Sequence, residues 1–192
     1  MTTSQHQGDK VAPIPRQLDD WRFCPVCGGG LRVDVIEPDA APHLECIGCK
    51  RLWWANPKPT ASCVLSRASD GRLLLVKRAI EPFLGLWGLP GGFIEDGELP
   101  KECLARELLE ETALSGTIGP IIGVFGDRYG ETGAHTLNIF YHVAIDGDGA
   151  DAVPDSDVAE LAWFLPDELP TQADLAFTCV SQALNAWLQQ QP

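Results

Sequence analysis

Three acidic side chains recur at helical spacing in one short segment of the chain. Glu107, Glu110 and Glu111 stand at i, i+3 and i+4 within a run from Pro100 to Thr112 that contains no glycine. Proline suits the first turn of a helix and the remaining residues are mostly good helix formers, so we expect a helix here. At 3.6 residues per turn, the three carboxylates then share an arc of roughly 100°.

Such an arc of carboxylates is unfavourable unless something neutralises it. Like charges at this spacing destabilise a helix by about 0.2–0.5 kcal/mol per pair, and a bound cation removes that repulsion. Mg²⁺ takes oxygen ligands, combining a few carboxylates with waters and substrate phosphate oxygens. The arc therefore predicts a magnesium site, although by helical spacing alone a solvated acidic face is the usual explanation.

The residues around this arc form a longer pattern. Five residues separate Gly92 from Glu98, and seven more separate Glu98 from Arg106, which the three glutamates follow. This resembles the Nudix box, in which Gly, five residues, Glu and seven residues precede Arg-Glu, an aliphatic residue, any residue, Glu-Glu, any residue, Gly and an aliphatic residue. The matching positions are Gly92, Glu98, Arg106, Glu107, Leu108, Glu110, Glu111 and Leu114.

One position departs from the box. Ala113 stands where the family has glycine. Glycine after a helix commonly adopts a left-handed conformation, so alanine there is expected to cost about 1 kcal/mol or to shift the helix end toward Gly116.

The resemblance implies a chemistry and a set of roles. Nudix enzymes hydrolyse a nucleoside diphosphate linked to another group, with water cutting the pyrophosphate and one or more Mg²⁺ (or Mn²⁺) ions assisting. Glu107, Glu110 and Glu111 would be the metal ligands, joined by a backbone carbonyl near Gly92. Glu98 and Arg106 would be a pair that orients the helix and the preceding loop.

Other candidate residues lie outside the acidic helix. Glu160, ahead of a strand-like stretch, is a candidate general base beside the box glutamates, and a solvated acid at a strand entry explains it equally well. Gly91 and Gly92 let the backbone turn sharply before the helix. Arg78 and Trp87 are candidate substrate contacts, for phosphate and for an aromatic ring; an ordinary surface charge and core packing are the alternatives.

Four cysteines near the start of the chain form a second motif. Cys24 and Cys27 are one Cys-x-x-Cys pair, and Cys46 and Cys49 are another, separated from the first by eighteen residues. This spacing predicts a four-cysteine zinc ribbon, and a closed shell of four thiolates makes the Zn²⁺ structural rather than catalytic. Disulfides and a rubredoxin-like iron site are alternatives. The chain opens without an apolar signal stretch and has no run long enough to span a membrane, which predicts a reducing, cytoplasmic location.

Together the two motifs resemble the Nudix subgroup with an amino-terminal zinc ribbon, which includes NADH, FAD and ADP-ribose pyrophosphatases. The Ser-Gln-Pro-Trp signature of NADH pyrophosphatases is missing between Ile118 and Tyr141. The expected substrates are therefore FAD, ADP-ribose and NADH, in that order, with AMP as a product. The alternative function is a nucleotide-sensing module whose ribbon engages a macromolecular partner.

The length of 192 residues suits one ordinary domain and a small module. We expect a flexible tail over residues 1–18, the ribbon over 19–56, and a Nudix α/β/α sandwich over 57–192. Strands are predicted at 61–64, 73–78, 119–126 and 136–145, and a closing helix at 174–190. A formal net charge of −13 opposes general affinity for nucleic acid. The family resemblance also raises the expectation of a homodimer.

Overall fold

The computed structural model of the protein describes residue 18 and residues 20–34, 42–130, 133–145 and 147–191. The chain divides after Asn56 into two compact units, residues 1–56 and 57–192. Apart from Leu18, the tail predicted over residues 1–18 lies outside the described residues. Within the described ranges, no helix is long and apolar enough to cross a membrane.

The first unit contains a small antiparallel sheet. Its strands are β1 (Leu31–Asp34), β2 (His43–Cys46) and β3 (Leu52–Trp53), with β2 in the centre. The two cysteine pairs occupy tight turns of similar geometry. In one turn the Gly28 N–H donates to the Cys24 carbonyl at 2.8 Å, and in the other the Lys50 N–H donates to the Cys46 carbonyl at 3.0 Å.

The second unit is built on a mixed seven-stranded sheet. In chain order its elements are β4 (Lys58–Arg67), β5 (Leu73–Arg78), β6 (Trp87–Gly88), β7 (Gly91–Phe93), α1 (Pro100–Thr112), β8 (Thr117–Arg128), β9 (His135–Ile145), β10 (Val158–Phe164), a 3₁₀ turn (Gln172–Asp174) and α2 (Thr178–Gln189). The main strand order is β10-β5-β4-β9-β8, while β6 pairs with β5 and β7 pairs with β4. The β4–β9 pair is parallel and the other pairs are antiparallel.

One helix covers each face of this sheet. Because successive strand residues point to opposite faces, the buried strand residues divide into two hydrophobic clusters. The cluster beneath α1 includes Ala61, Cys63, Leu65, Leu74, Leu104, Leu108, Tyr141 and Val143. The cluster beneath α2 includes Val64, Leu73, Leu75, Phe140, Val180, Ala183, Leu184 and Trp187. The predicted α/β/α sandwich is confirmed.

The predicted elements are present, with different ends. β4 begins at Lys58, three residues before the predicted start, because its parallel pairing with β9 already begins where Lys58 faces Thr136. The closing helix begins at Thr178 rather than 174, since a separate 3₁₀ turn precedes it. Local periodicity therefore locates the elements, and pairing with distant strands sets their limits.

Candidate active site

Helix α1 carries most of the predicted site, and both of its ends are formed locally. At its start the Glu102 carboxylate accepts a hydrogen bond from the Leu99 N–H at 2.9 Å, and Pro100 occupies the first turn. At its end Ala113 is left-handed, with φ 58°, and its N–H donates to the Leu109 carbonyl. The helix thus ends at the position where the box has glycine, and alanine takes the strained conformation there.

The three glutamates of the acidic arc on α1 have three different environments. Glu111 is buried, with 6% of its surface exposed. The Glu107 side chain is 17% exposed and that of Glu110 is 51% exposed. Leu109, an apolar residue of the same helix, is exposed. The acidic arc therefore extends from the buried side of α1, at Glu111, to its solvent-exposed side, at Glu110.

Glu111 is held at the innermost end of the arc. Its Oε2 accepts a hydrogen bond from the Gly91 N–H at 2.9 Å. Burial, together with the negative charges of Asp157 and Glu107, raises the pKa of Glu111 to about 8 against the opposing hydrogen bond from the Gly91 N–H. A nearby positive charge would stabilise the charged form of this buried carboxylate.

Glu107 lies directly against the backbone of Gly92. A Cβ atom added to Gly92 would stand 2.3 Å from Glu107 Oε1, so only glycine leaves room for this carboxylate. Burial also raises the pKa of Glu107, while a hydrogen bond from Arg106 opposes the shift. This close approach places the Glu107 carboxylate beside the Gly91–Gly92 turn that precedes the helix.

Arg106 links the loop to the acidic helix. Its Nε and Nη2 donate to the two carboxylate oxygens of Glu98 at 2.9 and 3.0 Å, which is a bidentate pair. Its Nη1 donates to Glu107 at 2.8 Å and to Glu110 at 3.3 Å. The Arg106 guanidinium, helped by the Glu95 N–H, holds the pKa of Glu98 down to about 2.

A cavity of about 90 Å³ opens beside this loop. Gly91, Gly92 and Glu111 line one part of it, together with Arg78 and Asp157. The cavity thus combines a positive group with two carboxylates. This is a suitable arrangement for a ligand that is anionic and binds a cation.

Two predicted residues lie elsewhere. Glu160 is within β10 rather than ahead of a strand, and its exposed carboxylate pairs with Lys77 Nζ at 2.9 Å across the sheet edge. Trp87 packs edge-on against Phe164, with 5.2 Å between ring centroids, and its ring contacts the Lys77 ammonium. Neither side chain lines the cavity, because both are directed by strand pairing with β5.

The four cysteines of the first unit converge. The sulfur atoms of Cys24, Cys27, Cys46 and Cys49 all lie within 4.8 Å of one another. Two of the separations are 3.8 Å, from Cys24 to Cys49, and 3.4 Å, from Cys27 to Cys46. A disulfide needs about 2.05 Å. A tetrahedral shell with Zn–S bonds of about 2.3 Å places its sulfurs ~3.8 Å apart, so the cluster fits Zn²⁺.

Comparison with known proteins decides the family. The model of the NUDIX domain matches residues 56–181, which is more than half of the chain. This chain belongs to the Nudix family. The fold agrees: the crystal structure of a NUDIX hydrolase from Nitrosomonas europaea superposes with a TM-score of 0.71 at 28% identity, covering 89% of this chain and 94% of that chain.

Curated Nudix relatives match a smaller share of their own length. An ADP-ribose pyrophosphatase of Methanocaldococcus jannaschii is 34% identical over 104 residues, covering 54% of this chain and 60% of the relative. The NAD-capped RNA hydrolase NudC of Vibrio vulnificus is 29% identical over 153 residues, covering 79% of this chain and 54% of the relative. The chain therefore spans little more than half the length of these relatives.

The carboxylates of the Nudix box are the type of ligand that a divalent cation requires, although their oxygen atoms do not form a tight cluster. Within the part of the chain that the structure describes, only the four cysteines form a group of three or more ligand atoms all within 4.8 Å of one another. Arg106 binds an oxygen of both Glu107 and Glu110. The donor set is nonetheless the hard oxygen set that Mg²⁺ prefers, and buried Glu111 has room for a counter-charge on its cavity side.

Sequence reasoning missed several residues of this Nudix cavity. Asp157 lines the cavity and stands three residues before Glu160, the acid that the sequence favoured. Its position just ahead of β10 was the only local signal for it. Three aromatic residues, Phe93, Tyr129 and Phe177, also line the cavity. The Tyr129 ring contacts the other two, with 5.2 Å between its centroid and that of Phe93 and 5.9 Å to that of Phe177. These rings come from three distant segments, so no local pattern could have grouped them.

Proposed function

We propose that this chain is a Nudix hydrolase that cleaves the pyrophosphate of a nucleoside diphosphate linked to another group, with Mg²⁺ (or Mn²⁺) as the cofactor. ADP-ribose is the first candidate substrate, and AMP is then one product. The observation that carries the proposal is Glu111, a buried carboxylate fixed by the Gly91 N–H at the wall of a cavity that also holds Arg78.

The box residues have distinct parts in this proposal. Glu107, Glu110 and Glu111 hold the cation, which when bound neutralises phosphate charge and lowers the pKa of a bound water. Arg106 and Glu98 position the glutamates, because the bidentate pair fixes the guanidinium that contacts Glu107 and Glu110. Gly92 leaves the space that Glu107 occupies.

The cavity residues bind the substrate and manage the proton. The Arg78 guanidinium, fixed by the Pro82 carbonyl at 2.7 Å, donates to a substrate phosphate. Asp157 takes a proton from the attacking water, whose oxygen bonds to one phosphorus as the bridging P–O bond breaks. Glu160 is not retained as the base, since its carboxylate pairs with Lys77 outside the cavity.

The substrate order changes from that expected from sequence. FAD stood first by resemblance, but the ADP-ribose pyrophosphatase relative favours ADP-ribose, for which the products are AMP and ribose 5-phosphate. FAD and NADH follow. The similarity to NudC makes NAD-capped RNA a second candidate, which the net charge of −13 opposes.

The first unit is proposed to bind a structural Zn²⁺ through Cys24, Cys27, Cys46 and Cys49. The convergence of their sulfurs supports this, and a closed four-thiolate shell leaves no position for substrate. A homodimer and a cytoplasmic location stay predictions. Sedimentation of the purified protein tests the first, and fractionation of cells tests the second.

The test measures product release in the presence of Mg²⁺: AMP from ADP-ribose, FAD and NADH, and nicotinamide mononucleotide from NAD-capped RNA, whose adenylate stays on the RNA. We expect ADP-ribose to be cleaved fastest, and Glu111→Gln to slow cleavage at least about 100-fold by removing a ligand of the cation. Asp157→Asn should lower kcat by a factor of about 10²–10⁴. Glu160→Gln is the matched control and should retain the wild-type rate.

Two outcomes would contradict the proposal. Nucleotide binding without cleavage would favour the sensing module. Loss of activity in Glu160→Gln, with Asp157→Asn unaffected, would return the general base to Glu160 and remove Asp157 from the site.

A further inference from the structure

Three buried polar side chains stand in the wall of the cavity on the α2 side of the sheet. Thr60 on β4 and Thr136 and Asn138 on β9 are each less than 9% exposed, and all three line the cavity. Buried polar groups in native proteins are hydrogen-bonded, so the partners of these three define what remains for a ligand.

The orientation of the Asn138 amide follows from its partners. Its Nδ2 donates to the Phe125 carbonyl at 3.0 Å, and a carbonyl can only accept, so the nitrogen must be on that side. Its Oδ1 therefore faces Thr60, whose hydroxyl donates to it at 2.7 Å. With its proton used in this way, Thr60 Oγ1 presents only lone pairs to the cavity.

The second proton of the amide fixes the role of Thr136. Asn138 Nδ2 also donates to Thr136 Oγ1 at 3.0 Å. A hydroxyl that accepts there keeps its own proton to donate, and no described residue accepts that proton. The wall thus presents an acceptor at Thr60 and a donor at Thr136. Ser62 adds a hydroxyl that can take either role and so sets no direction.

Aromatic rings lie close to this polar wall. Phe93 is the partner of Thr60 in the β4–β7 pairing, and its ring meets that of Tyr129 with 5.2 Å between centroids. Both rings line the cavity, and Arg78 lies over the Tyr129 ring at 5.9 Å. A planar ring in the cavity would find faces to pack on and a directional polar edge to bond.

We propose that Thr60, Asn138 and Thr136 read the edge of an adenine base. The exocyclic amino group of adenine donates to Thr60 Oγ1, and the ring nitrogen N1 accepts the Thr136 proton. Hypoxanthine reverses both positions, with a carbonyl in place of the amino group and a ring N–H in place of the acceptor. The inference rests on the proposed function and specifies the base of its substrate.

The experiment compares ADP-ribose with inosine diphosphate ribose, which differ only at this edge. We expect wild-type kcat/KM to favour ADP-ribose at least about 10-fold, because the wrong base leaves buried polar groups unpaired. Thr136→Val should lower the ratio, because only the Thr60 contact then distinguishes the two bases, while Thr136→Ser, which keeps the hydroxyl, should preserve it. Thermal melting checks that both variants fold.

A second measurement needs neither catalysis nor a variant. Calorimetry of the wild-type protein should show AMP binding at least about 10-fold more tightly than IMP. Equal binding, equal cleavage of the two substrates, or a preference that is undiminished in Thr136→Val would overturn the adenine proposal. If neither substrate is cleaved but AMP still binds more tightly than IMP, the proposed hydrolysis fails and the base recognition stands.

Discussion

Glu107, Glu110 and Glu111 are chemically identical and fall within five positions, yet each experiences a different environment. Glu111 meets the core, Glu107 meets a glycine backbone and Glu110 faces solvent. Burial raises the pKa of Glu107 and that of Glu111. The two carboxylates whose charged forms a cation would stabilise most therefore lie on the inner side of the helix, next to the cavity.

The dependence of Glu107 on Gly92 gives a prediction at the same scale. In Gly92→Ala the new methyl group would stand 2.3 Å from Glu107 Oε1, so the carboxylate must move. We expect Mg²⁺ affinity and kcat to fall by about 10-fold or more, as for other disturbances around metal ligands. Titration with Mn²⁺, followed by electron paramagnetic resonance, measures the affinity.

Gly97→Ala is the comparison for that experiment. Gly97 lies in the same loop with open space around it, although its φ of 82° strains alanine. It should lose stability without a matching loss of metal affinity. Unchanged Mn²⁺ affinity in Gly92→Ala would show that the glycine has no part in positioning Glu107.

At the scale of the element, α1 ends on an alanine in the left-handed region. Left-handed backbone costs an L-residue roughly 1–2 kcal/mol, and glycine avoids this. We predict that Ala113→Gly raises the free energy of unfolding by about 1 kcal/mol, measured by urea denaturation, with helix and activity unchanged.

The same change within the helix is its control. Ala105 is exposed in the middle of α1, so Ala105→Gly should lower the free energy of unfolding by about 0.5–1 kcal/mol. If both substitutions destabilise the protein equally, the strain assigned to Ala113 is absent in solution.

For the whole molecule, the two units are stabilised by different means. Residues 57–192 bury two hydrophobic clusters on either side of a sheet. The described part of the first unit has three strands of four residues or fewer and leaves Phe23, Val26 and Ile47 more than half exposed. A segment this small needs a metal or another cross-link to remain folded.

Removal of zinc tests this difference. We expect elemental analysis to find zinc in the purified protein, and a strong chelator to make the first unit sensitive to protease while residues 57–192 stay resistant. Cys46→Ser should lose the metal, whereas Cys179→Ala, a buried cysteine of the second unit, should keep it. Full zinc content in Cys46→Ser would refute the four-cysteine site.

The sequence by itself determined the family, the layered fold and the position of the acidic helix, because these depend on short-range spacing. Helical period places the glutamates on one arc, Cys-x-x-Cys turns form locally, and strand alternation divides the sheet into two faces. Glu98 and Arg106, expected from the resemblance to be a pair, make a bidentate contact in the structure, and these residues too are only eight positions apart.

Only the tertiary structure decided which residues share the cavity. Asp157 reaches it and Glu160 does not, because the bulge between Val158 and Glu160 and the pairing with β5 set where each acid points. Thr60 and Asn138 are 78 residues apart and meet through the parallel β4–β9 register. Such a register is fixed by packing of the whole sheet against two helices, and no local pattern in the sequence contains it.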